Sequence, residues 1–312
     1  MKRLFLILAA VVMVAGLMCI VGCSDDDNKP TGPTPGNPNN SEFLLMKDLM
    51  GEGYASLDGN IIDLSLEMMD SIPDKTSLYN PFKPTAGASL FDSLVFSYTY
   101  SNFWHVFSLT AVMYTEGDDP LLVDTLTFQG VDSLRFWNAS GMMQYPDTTT
   151  TTINIRAHVT MDISGQSGQA GIESDASYDL TGGPHVGLNI NGAASHFMYL
   201  SAVTDTSSLH AEIDAGHTAT NIYFDSTALA NDDCPVSGRL AAAASIDLDY
   251  ISPSDTVMIA GGWSVLFVYN DGEVTITYTH GTNYWVVTEP CGSGLSKAGW
   301  AGLRNRIMPL AE

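Results

Sequence analysis

The segment TINIRAHVTMDI, Thr152 to Ile163, alternates almost without fault. Ile153, Ile155, Ala157, Val159, Met161 and Ile163 share one side of an extended chain, and Asn154, Arg156, His158, Thr160 and Asp162 share the other. Such period-two alternation marks a half-buried strand, because successive side chains of extended backbone point to opposite faces. The division recurs. Leu209, Ala211, Ile213 and Ala215 oppose His210, Glu212 and Asp214, while Ala242, Ala244, Ile246, Leu248 and Tyr250 oppose Ser245, Asp247 and Asp249. Val186, Leu188 and Ile190 likewise oppose Gly187, Asn189 and Asn191. Two segments depart from this rule. Residues 104–113 carry Trp104, Val106 and Val112 on one side and Phe107, Leu109, Ala111 and Met113 on the other, and residues 263–269 are similar, so both read as strands needing cover on two faces.

Extended by the same reading, strands are predicted at 94–100, 104–114, 121–128, 133–137, 153–163, 172–179, 186–190, 195–203, 209–215, 219–224, 238–250, 256–259, 263–269, 274–279 and 284–287. Turn chemistry falls between them at Asn138 to Gly141, Gly182-Gly183-Pro184, Asn191-Gly192, Asn270-Asp271-Gly272 and His280-Gly281. No helix-length segment separates neighbours, which excludes parallel crossover units. The fold class that follows is all-β: a large antiparallel meander forming a curved sheet, half-barrel or barrel, with short N-terminal helices covering the apolar side. Those helices are expected within residues 41–72, where Asn40 or Ser41 caps an apolar stripe of Phe43, Leu44, Met46, Leu49 and Met50. Gly51 and Gly53 interrupt the stripe, which restarts at Ile61 and ends before Pro73.

The chain begins with Lys2 and Arg3 ahead of a long apolar run, the charge order of a secretory signal. Ile20-Val21-Gly22-Cys23 resembles the lipobox of bacterial lipoproteins. That resemblance covers residues 1–22 as signal peptide and implies cleavage before Cys23, lipidation of its sulfur, and anchorage by acyl chains to a bacterial cell envelope. By analogy with Gram-negative sorting, Ser24 points to the outer membrane. Residues 23–40 are rich in Asp, Pro, Gly and Asn and bury too little apolar surface to offset the entropy of ordering, so they read as a tether to a single domain at 41–312.

Charge narrows the partners. The chain has a formal net charge of −23, and Arg135, Arg156 and Arg239 are the only basic side chains between Thr85 and Ser296. Such a surface repels nucleic acid and anionic headgroups. Two cysteines remain beyond the anchor, Cys234 and Cys291, which in an oxidising envelope read as a disulfide, the rival being two buried thiols.

Catalytic signatures do not emerge. The chain has no Gly-x-Ser-x-Gly, no phosphate loop, no dinucleotide fingerprint and no His-Glu-x-x-His. His210, Glu212 and Asp214 share one strand face and, with His158 and Asp162, offer metal or acid/base chemistry, but charged alternation is also what any solvated sheet face looks like, and no metal or cofactor is expected. Asp-rich turns at Asp118-Asp119, Asn231-Asp232-Asp233 and Asn270-Asp271-Gly272 lack calcium-loop spacing. Trp137, Tyr145, Tyr284 and Trp285 lie near turns, where aromatic faces can stack sugars if exposed, although core packing is the commoner fate of tryptophan. The expectation is a non-enzymatic, lipid-anchored envelope protein binding a hydrophobic ligand inside the sheet. The candidate lining is Trp104, Phe107, Leu109, Met113, Trp263 and Phe267; the alternative is a structural or adhesive domain without a small ligand.

Overall fold

The structure, a computed structural model, describes residues 34–48, 62, 65, 72, 93–116, 123–165, 168–183, 186–203, 206–231, 234–253 and 256–290. The signal segment, Cys23, Cys291 and most of residues 49–72, where the apolar stripe is expected to restart, lie outside the described residues.

Thirteen strands form one sheet. They are β1 (Thr34–Pro35), β2 (Ser93–Ser101), β3 (Trp104–Glu116), β4 (Val123–Asn138), β5 (Gly141–Met143), β6 (Thr152–Gly165), β7 (Gly168–Gly183), β8 (Gly187–Val203), β9 (Ser208–Phe224), β10 (Ser237–Ile251), β11 (Thr256–Asn270), β12 (Glu273–His280) and β13 (Asn283–Pro290). Helix α1 (Ser41–Asp48) precedes β2, and α2 (Ser226–Asn231) joins β9 to β10. From β2 onward each strand lies beside its predecessor in the chain, apart from β6, which pairs with β4 because the short β5 folds back on β4 off the main path. Among the described residues the only parallel ladder is β1 on β13, so the result is an open, curved meander with β1 and β2 at its two ends.

Its two faces are those read from the alternation. Ile153, Ile155, Ala157 and Met161 are buried with Ala211, Ile213, Ala215, Leu240, Ala244 and Ile246, whereas Asp162, Glu212 and Asp214 are exposed. An apolar inner face and an acidic outer one are the reverse of what a lipid-embedded barrel needs. One of the two strands expected to need cover on both faces proves different, whereas in β3 the outward Trp104, Val106 and Val112 are partly buried. In β11, Trp263, Val265, Phe267 and Tyr269 are buried while Ser264 and Leu266 are exposed, so this strand is covered on one face only.

The strands are also longer than predicted. Residues 123–128 and 133–137 belong to β4, 187–190 and 195–203 to β8, 209–215 and 219–224 to β9, and 256–259 and 263–269 to β11. Asn191-Gly192, read as a hairpin turn, lies inside β8. A Cβ on Gly192 would sit 2.3 Å from the Ser177 carbonyl oxygen, so glycine is there to let two strands approach, and the backbone runs straight on. Opposite it, the register of β9 slips between the pairs Gly192–Ala219 and Ile190–Ile222, a bulge at Thr220 and Asn221 with Asn221 at φ 49°. The extra residue switches parity and returns Ile222 and Phe224 to the buried face.

The N-terminal segment docks on the far edge. Asn40 caps α1 by accepting the Phe43 N–H on its side-chain oxygen at 2.8 Å. Phe43 then stacks on Trp285, centroids 4.8 Å apart, and meets Tyr278 edge-on. Residues 34–37, assigned from composition to the tether, are held to β13. The Thr34 N–H donates to the Thr282 carbonyl, the Gly36 N–H to that of Tyr284, and the Trp285 indole N–H to that of Asn37. The ordered chain thus begins before residue 41, because backbone pairing supplies what the side chains lack. Gly36 fits flat against the Trp285 indole, where an added Cβ would lie 1.9 Å from a ring carbon. Gly36→Ala should therefore free residues 34–37, seen as faster amide exchange there, with a loss of about 1–2 kcal/mol for the broken hydrogen bonds.

Candidate functional site

The buried face carries most of the residues expected to line a ligand cavity, and it packs them as core. Phe107, Trp263 and Phe267 are 2 %, 2 % and 1 % exposed, and Leu109 and Met113 are partly buried on the same side. Phe107 on β3 and Trp263 on β11 stand seven strand positions apart in the sheet order. Trp263 belongs to an aromatic stack with His280 at 4.5 Å and Trp285 at 5.6 Å, closed by Phe43 of α1. Trp104 points the other way, to the polar face.

Polar groups on the buried face are mostly matched to one another. His105 Nε2 donates to the Gln144 carbonyl at 2.6 Å, which leaves Nδ1 to accept from the Tyr98 hydroxyl at 2.8 Å. Burial lowers the His105 pKa, so the ring is neutral and structural. Tyr178 pairs with His217 and Ser174 with His196, at 2.8 and 2.9 Å, and the two imidazoles stack with centroids 5.4 Å apart.

Asp132 is not matched in this way, nor are the Ser65 hydroxyl and the Trp263 indole N–H. Asp132 lies on β4 between Phe107 and Ala157 of the flanking strands, 8 % exposed, and burial drives its pKa from 3.8 to about 7. The Ser65 hydroxyl and Ser133 amide are near enough to favour the anion, yet neither completes a hydrogen bond of good geometry to the side chain. The folded chain thus keeps a proton that the unfolded chain releases near pH 4. The stability it contributes is present in full below that pH and is lost as pH rises through about 7.

The polar face holds the denser constellation. Three neighbouring strands, β4, β6 and β7, bring residues of one parity together in the rows Arg135–Asn154–Asp179, Ser133–Arg156–Ser177 and Val131–His158–Asp175. The Arg135 and Arg156 guanidinium carbons lie 4.4 and 4.7 Å from the Trp104 ring centre, and Arg135 also lies 5.1 Å from that of Trp137. Asn154 ties the group together. Its Oδ1 accepts from Arg135 Nε at 3.1 Å and from the Trp137 indole at 2.6 Å, and its amide donates to Asp179 at 2.5 Å. Arg135 is thereby fixed, whereas exposed Arg156 has only the Trp104 face as partner among the described residues.

Beside Arg156 an open trough of about 510 Å³ crosses β4, β6, β7 and β8, floored by Ser133, Ser177, Ala193 and Ser195 and bounded by His158 and Asp175. His158 Nδ1 lies 2.8 Å from Asp175, and Glu173 brings a third ligand atom into a group whose members all lie within 4.8 Å. The expected combination of His158 and Asp162 with His210, Glu212 and Asp214 is not assembled. Asp162 accepts from the Tyr199 hydroxyl at 2.8 Å, and His210 faces Glu212 of its own strand at 3.7 Å. The Asn270-Asp271-Gly272 turn is explained by hairpin geometry, with φ of 42° and 87° at its two central residues, Asp271 and Gly272. Sequence reasoning missed the arginine and tryptophan cluster because its members lie on three strands. The one available signal was that the three arginines between Thr85 and Ser296 all fall at outward positions, two of them on neighbouring strands.

Comparison of the chain with family models, with curated proteins and with solved structures finds no match.

Asp132→Asn removes the titrating group while keeping its shape. Unfolding measured from pH 4 to 8 should show the parent losing about 4 kcal/mol, from a shift of about 3 units at about 1.4 kcal/mol each, and the variant staying nearly level.

Proposed function

We propose that the protein is a lipid-anchored, non-enzymatic domain of a bacterial cell envelope, probing its surroundings with the polar face of its sheet. The carrying observation is the open trough beside Arg156 and Trp104, set against Phe107, Trp263 and Phe267 packed as core. Carriage of a hydrophobic ligand, the other reading, requires those side chains to leave well-packed positions, and each large apolar group so displaced costs several kcal/mol. Outer-membrane anchorage through Cys23 rests on the lipobox resemblance and on the docked segment at Thr34, which leaves residues 24–33 as the spacer between lipid and sheet.

The proposed Cys234–Cys291 bond belongs to the same reading, since an oxidising envelope sustains it. Its support is positional. Ser237, Asn270, Glu273 and Pro290 form one row at the same end of the sheet, with Cys234 three residues before the row and Cys291 directly after it. Three strand spacings of about 4.8 Å separate β10 from β13, within reach of the short segments leading to each sulfur. Cys234 is buried, as a bonded cysteine would be. Thiol alkylation of the denatured, unreduced mature chain should label only after reductant is added.

Cys23→Ala separates the two functional readings, because it removes the anchor lipid and leaves only cargo to be found. The variant should leave the membrane fraction, and mass spectrometry of an organic extract of the purified chain should find no stoichiometric lipid. A lipid retained one to one would establish the interior as a carrier and defeat the polar-face reading.

A further inference from the structure

We infer that the trough is a subsite for a short sugar chain bearing a single carboxylate, with Arg156 as the residue that takes the charge. The inference deepens the polar-face reading and rests on it.

Arg156 is the starting point. A chain of net charge −23 keeps two guanidiniums side by side over one tryptophan, although like charges repel, and only Arg135 has its hydrogen-bond needs met. Arg156 lines the trough with its donor fork available among the described residues, and that planar fork matches a carboxylate through two parallel hydrogen bonds. Trp104 and Arg135 are positioning residues. The ring holds the Arg156 guanidinium level, and the neighbouring positive charge raises the local potential for an anion.

The rest of the trough defines the other end of the ligand. Beyond Arg156 come the hydroxyls of Ser177 and Ser195 and the carboxylate of Asp175, which His158 already engages at 2.8 Å while its remaining lone pairs can accept from hydroxyls. A second anionic group there would meet Asp175 at close range, and the field of the whole chain repels polyanions. One carboxylate at one end and hydroxyls along the remainder describe a sugar acid. The volume, about 510 Å³, falls in the range of small-molecule sites, and the open, shallow shape suits a chain that continues beyond both ends.

Calorimetric titration of the mature chain with xylotriose carrying one glucuronic acid, with plain xylotriose and with trialanine decides the matter. The acidic sugar should bind, and xylotriose should bind at least about tenfold more weakly, the loss expected for a charge-assisted hydrogen bond. Arg156→Ala should reduce the acidic sugar to the level of xylotriose, Arg156→Lys should recover part of the difference, and Ser195→Trp should block both sugars by filling the floor. The bound carboxylate should also change the tryptophan fluorescence, a signal lost in Trp104→Phe. Equal binding of both sugars, an unchanged Arg156→Ala, or preference for trialanine would each overturn the inference. If the acidic sugar fails while the Ser195→Trp chain loses binding to purified envelope polysaccharide, the sugar-acid assignment falls and polar-face recognition stands. If neither binds and the Cys23→Ala chain holds lipid, the polar-face reading falls with it.

Discussion

Everything in this molecule depends on parity. In a sheet whose ladders run 14 to 16 residue pairs between β6 and β11, a one-residue slip at any point would send a whole apolar row into water. The β6–β7 ladder holds Ile153 against Leu180, Ile155 against Tyr178 and Ala157 against Ala176, and the columns continue through Ala194 and His217 to Ala242 and Val265. Where the sequence changes phase, the backbone absorbs it. The bulge at Thr220 and Asn221 is shared with both neighbours of β9, and the Asn191 side chain accepts the Asn221 N–H at 2.8 Å, so the irregularity is hydrogen-bonded rather than tolerated.

The same constraint builds the outer surface. Because the buried columns are fixed, the intervening residues of β3, β4, β6 and β7 stand in columns of their own, and Trp104, Arg135, Asn154 and Asp179 become neighbours without any loop to position them. A group carried by paired strands is held more rigidly than one on a loop, which suits recognition by a few well-placed hydrogen bonds. Small residues at Ser177, Ala193 and Ser195 leave the hollow beside it. Asp132 shows the cost of breaking the pattern, since a carboxylate in an apolar column must hold its proton to near neutrality.

Alternation determined that this chain makes an antiparallel meander and which residues of β6, β9 and β10 face inward, and capping chemistry narrowed the start of α1 to Asn40 or Ser41. These are local properties, written in the period of the side chains and in capping chemistry. Tertiary structure decided the rest. Gly192 and Ala219 look like strand ends until their neighbours are seen, because a close approach or a bulge is defined only by the strand across the ladder. The docking of Thr34 to Asn37 was illegible for a related reason: backbone hydrogen bonds carry no side-chain signature. Cross-strand partners decided the site as well, placing Arg135 and Arg156 over Trp104 and Asp175 against His158, since residues 17 to 52 positions apart in sequence meet only once register is set.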